Sequence, residues 1–146
     1  MKDEQRTTPA AIDKQRLADI RNAVLDLHKV LVDSERVRYE KTMGQIQSPN
    51  QFLRLLTSDP WFAWLHPISQ LIVAMDEALD EKEPLTGDMV AALAEQTRRL
   101  LVASEAGQSF SGHYFEALQS DPDVVLAHAA VMKILGAGKE PGRSEK

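Results

Sequence analysis

Histidines are the residues of this chain best suited to chemistry, and their neighbours decide what each can do. There are four, and no cysteine accompanies them. Thiolate metal sites, disulfides and cysteine nucleophiles are therefore excluded. His66 and His128 stand in matching settings. Leu56-Thr57-Ser58-Asp59-Pro60 is echoed by Leu118-Gln119-Ser120-Asp121-Pro122 at an offset of 62 residues, and each proline is followed six positions later by a histidine. Ile72 and Ile134 also correspond. Paired imidazoles brought face to face by such an echo would suit a metal or a haem iron. The simpler reading is that Ser-Asp-Pro starts a helix twice, because carboxylate partners and ligand pairs at helical spacing are both missing. No bound metal and no cofactor are expected.

Other reactive constellations fail on spacing. A di-iron bundle needs two Glu-x-x-His motifs, and His113-Tyr114-Phe115-Glu116 has the reverse order. No Gly-rich phosphate loop and no G-x-S-x-G elbow occur. Ser111 and His113 are neighbours, but the flanking glycine marks a helix start rather than a nucleophile and its base. His28 lies beside an apolar seam without a ligand-type partner. The reading is of a protein without a catalytic site.

Large apolar surface is concentrated in one run, Asp59-Pro60-Trp61-Phe62-Ala63-Trp64-Leu65-His66-Pro67. Asp59 is a good N-cap, and Pro60 fits the first helical turn, where a missing N–H is no loss. Trp61, Phe62, Trp64 and His66 are the expected ligand or partner contacts. Trp61 extends the seam Leu65, Ile68, Ile72, Met75, Leu79 directly, so it is expected in the core, with Trp64 nearer the edge. Pro67 either kinks this helix or marks its true start. Asp76, Glu77, Asp80 and Glu81 crowd the far end of the same helix, the unfavourable end of its dipole. They form a solvated acidic tip, or a docking surface for a basic partner. Arg98 and Arg99 on the next helix, running back antiparallel, are expected near Ser69 and Gln70, too far away to neutralise it.

The elements that position these residues read as helices throughout. Thr8 and Pro9 open a pattern that runs to about Met43 without another proline or a glycine. Its seam, Leu17, Ile20, Val24, Leu27 and Leu31, has the 3,4,3,4 rhythm of a bundle. The seam fails at Ser34 and Arg38. The last third of this overlong helix is therefore expected to project, or to pack on a second copy. Gln51–Thr57 reads as a short helix. Thr86 or Asp88 starts another, ended by Gly107. A short helix follows over Gly112–Gln119, and Asp121-Pro122 opens the last, which Gly136–Gly138 ends.

The fold class is thus all-α: an antiparallel bundle of four main helices with a long N-terminal helix and two short inserted helices. Residues 1–8 read as a flexible N-terminus, 9–136 as a single helical domain and 137–146 as a disordered tail. The net charge of −5 argues against a nucleic-acid partner. No apolar stretch approaches the ~20 residues that span a bilayer, and Met1–Gln15 lacks the apolar segment of a signal peptide. A cytoplasmic protein without a membrane partner is expected. The leading functional reading is a non-enzymatic helical protein that acts by protein–protein contact, as a homodimer. The alternative is a bundle that binds a small ligand or cofactor between helices at Trp61–His66.

Overall fold

A computed structural model describes residues 8–107 and 109–137. The expectations of a flexible N-terminus and a disordered tail fall on residues outside this range, except that Thr8 caps the first helix and Ala137 still belongs to the last. The described chain is all-helical and has no strand. Its elements are α1 (Pro9–Met43), α2 (Pro49–Ser58), a 3-10 turn (Pro60–Leu65), α3 (His66–Asp80), α4 (Gly87–Leu100), α5 (Phe110–Ser120) and α6 (Pro122–Ala137).

Local chemistry sets most of these boundaries. The hydroxyl of Thr8 accepts from the Ala11 N–H, and Pro9 occupies the first turn of α1. Ser48 and Thr86 cap α2 and α4 in the same way, by accepting from the N–H groups of Gln51 and Met89. Gly44 ends α1 at φ 106°, a conformation in which an L side chain would be strained.

α1 is the axis of the molecule. Leu17, Ile20, Val24, Leu27 and Leu31 are all fully buried, as the spacing predicts. They meet Ile68, Leu71, Ile72 and Met75 of α3, and Val124, Val131 and Leu135 of α6, within one core. Polar bridges fix the direction of α3. Arg21 pairs with Asp76, His28 with Ser69, and Glu35 with Trp61, so α1 and α3 run antiparallel.

Three expectations are corrected. The end of α1 does not project. Ser34 and Glu35 are buried, and Tyr39 packs against Trp61 and Phe62. Glu35 is accommodated there because the Trp61 indole and the Arg38 guanidinium supply its hydrogen-bond donors. Second, α4 ends at Leu100 rather than at Gly107. Beyond it the chain folds back: the Ser104 N–H donates to the Ser111 carbonyl, and Gly107 N–H to Ser104. A Cβ on Gly107 would meet the Ser111 hydroxyl, and one on Gly112 would meet the Gly107 carbonyl. These glycines permit a close backbone approach rather than a helix cap. Third, Arg98 does not lie beside Ser69. It donates to the Leu135 carbonyl at the end of α6, which Arg16 also reaches. Two guanidiniums thus satisfy carbonyls that α6 leaves unpaired, at the end where the dipole favours cations.

Candidate functional site

The aromatic run sits where α1, α2, α3 and α5 meet. Asp59 accepts from the Trp61 N–H and opens the turn as the capping pattern predicts. An α-helix would next need an N–H from residue 67 to the carbonyl of Ala63. Pro67 has none, and the Ala63 carbonyl accepts instead from the His66 N–H, in the 3-10 pattern. This tighter winding resets the phase of every side chain before His66.

The expected order of the tryptophans is therefore reversed. Trp64 is buried at 8% exposure, whereas Trp61 is half-buried. Trp64 stacks on His113, with ring centroids 5.3 Å apart, and lies against Phe110. Phe62 is fully buried between Phe52 and Tyr39. Trp61 meets Tyr39 edge-on and directs its indole N–H to Glu35, 3.0 Å away. His66 places Nε2 3.2 Å from the Leu56 carbonyl, so that this nitrogen carries the proton and ties α2 to the start of α3.

Glu35 is the residue that sequence reasoning missed. It is only 3% exposed, yet it sits in a stretch that reads as charged surface. A buried carboxylate is costly unless partnered. Here one oxygen takes the indole N–H and the other the Arg38 guanidinium at 3.1 Å. Arg38 also lies 3.8 Å from Glu116 of α5. The signal was present in the run itself: a buried indole needs an acceptor, and Glu35 is one helical turn beyond Leu31.

The second Asp-Pro segment has its own aromatic partner. The fully buried Tyr114 stands 2.6 Å from His128 Nδ1. Burial pushes the phenol pKa well up, so Tyr114 keeps its proton and donates it. Burial also pushes His128 down, which favours the neutral ring that accepts at Nδ1. His28, bonded to Ser69, is lowered for the same reason. The two echoed histidines are thus each engaged by the short helix that precedes them. Among the described residues no group of His, Asp and Glu is arranged to hold a metal ion.

The acidic residues do gather. Asp76, Glu77, Asp80 and Glu81 border one shallow, open concavity with Val73, Lys82 and Glu83. Asp76 is not free there, because Arg21 binds it through both carboxylate oxygens, at 2.7 and 3.3 Å. The other three remain exposed. Trp61, Phe62, Trp64 and His66 line none of the five most pronounced surface clefts. The aromatic run is filled by its own neighbours.

One surface stands apart from all of this. α6 is mostly apolar on its outer face as well as its inner one, with Asp123, His128 and Lys133 as its ionisable residues. Val124, Val131 and Leu135 face the core. Pro122, Val125, Leu126, Ala129, Ala130 and Lys133 form the opposite, exposed face, with Leu126 at 69% exposure and Val125 at 44%.

No family model, no curated protein and no solved structure matches this chain. Among the described residues no helix is long and apolar enough to cross a membrane.

Proposed function

We propose that this protein is a non-enzymatic helical module that works by protein contact, with a second copy of itself as the partner. One observation carries the reading: the apolar outer face of α6. The outer face of a surface helix is ordinarily polar, and contiguous exposed apolar surface is where proteins meet. Leu126 and Val125 lie side by side in water in the single chain.

The polar groups around the aromatic run support the same reading. Glu35, His66, Tyr114 and His128 each hold a partner that fixes one helix to another. They serve as cross-links of the fold, which presents α6 on a firm base.

Sedimentation velocity over chain concentrations from about 1 to about 500 µM tests this, a range suited to a small or transient interface. A dimer that grows with concentration is the expected result. A single monomeric species throughout contradicts the proposal.

A further inference from the structure

The geometry points to a specific pairing, which rests on the self-association proposed above: two copies meet through the outer faces of α6, antiparallel, about a two-fold axis at the level of Ala127 and His128.

The face is self-complementary only in that orientation. With 3.6 residues per turn, Val125, Leu126, Ala129 and Ala130 form a central patch, two large residues followed by two small ones. A two-fold axis through its middle sets Leu126 against the partner's Ala129, and Val125 against the partner's Ala130. Each large side chain then faces a small one, and the small ones let the helices approach closely. A parallel pairing in register would instead set leucine on leucine and alanine on alanine.

Charge follows the same symmetry. Asp123 and Lys133 are both exposed and are centred on position 128, half a residue from the centre of the patch between Ala127 and His128. About that axis, Asp123 comes within reach of the partner's Lys133, twice over. An isologous interface requires such reciprocity. In parallel register, like charges would meet.

Among the described residues no side chain covers this patch. Residues 1–7 and 138–146 contain one large apolar side chain, Met1, among charged and small polar residues. α6 has 16 residues and is about 24 Å long. Its single face makes a modest interface, so a weak, reversible dimer is expected.

The test is sedimentation equilibrium on the wild-type chain and four variants, with circular dichroism to confirm the fold. Leu126→Asp is expected to weaken dimerisation by about tenfold or more, as for a central apolar anchor. Asp123→Lys and Lys133→Asp should each weaken it about threefold to fivefold, and the double reversal should restore it within about twofold. If Leu126→Asp disturbs the fold, Ala130→Arg tests the same patch. A monomeric wild type overturns both the pairing and the self-association it rests on. A wild-type dimer indifferent to substitution at Leu126 and Ala130 leaves self-association standing and removes α6 as its site. A dimer weakened at Leu126 but not rescued by the double reversal overturns the antiparallel register.

Discussion

After Asp59 the chain winds through a 3-10 turn and carries Trp64 inward, whereas after Asp121 it enters α6 directly and leaves Leu126 at the surface. The two segments begin alike. In each, a serine hydroxyl bonds back to the carbonyl four residues earlier, Ser58 to Arg54 and Ser120 to Glu116. In each, the aspartate accepts from the N–H two residues ahead, at 2.8 Å from Trp61 and 2.9 Å from Asp123. The second residue after each proline-led start, Phe62 or Val124, is fully buried. Trp64 and Leu126 occupy the same place in the echo, at the 62-residue offset, yet one is buried and the other is the most exposed large apolar residue described.

Position 67 accounts for the divergence. Pro67 denies an α-helical bond to the Ala63 carbonyl, and its counterpart Ala129 lies inside an uninterrupted helix. One missing N–H changes the winding, and the winding decides which large side chain the core receives. The first segment consumes its apolar residues internally. The second leaves Val125 and Leu126 at the surface.

The strongest way to break this comparison is to truncate the two corresponding side chains. Trp64→Ala should cost ~3–5 kcal/mol of stability, the range for a buried large aromatic. Leu126→Ala should change monomer stability by less than ~0.5 kcal/mol, as expected of a surface site. Denaturant melts at low chain concentration measure both, and equal losses would mean that the segments are not used differently.

Exchanging the backbone chemistry sharpens the point. Ala129→Pro puts the proline of the first segment into the second, and should cost ~3 kcal/mol or more by removing an interior helical bond. Pro67→Ala should cost much less, about 0.5–1 kcal/mol, through a more flexible unfolded chain. Thermal unfolding of both variants checks the asymmetry. A large loss at Pro67 would show that the 3-10 turn depends on more than the missing donor.

The smallest effect concerns pH. Burial lowers the pKa of His128 below its ordinary value of 6.5, and that of His28 likewise. Each ring is neutral in the folded state at a pH where the unfolded chain has begun to bind a proton. Their contribution is thus complete above pH 6.5 and is lost as pH falls from there through the lowered folded values. His128→Gln should flatten part of that fall when denaturation midpoints are compared at about pH 7.5 and about pH 5.5. An unchanged slope would assign the fall to other groups.

Much of the fold was legible because its signals are local. Thr8-Pro9, the Leu17–Leu31 seam and Gly44 define α1 from spacing and capping alone. The turn at Trp61 was not legible in phase, because Pro67 permitted either a kink or a new start, and the spacing of the apolar residues does not choose between them. Glu35 was hidden because Trp61, 26 residues away, becomes its neighbour only when the 3-10 turn packs on α1, while its local pair with Arg38 looks like any surface pair on a helix. Arg21 and Asp76 are 55 residues apart in sequence, and no periodicity connects them. The outer face of α6 escaped notice for a different reason. Its apolar residues read as core, and only the packed structure divides them into an inner and an outer set.

Thiol cross-linking tests the central claim most directly, since the chain contains no cysteine of its own. Leu126→Cys and Ala129→Cys chains are mixed and oxidised gently, with Leu53→Cys as an exposed control on α2. The account predicts that a mixed disulfide between the first two chains forms faster than any disulfide involving the control, because facing positions across closely packed helices approach the ~4.4–6.8 Å Cα separation that a disulfide requires. Cross-linking at 126 and 129 no faster than at position 53 would contradict it.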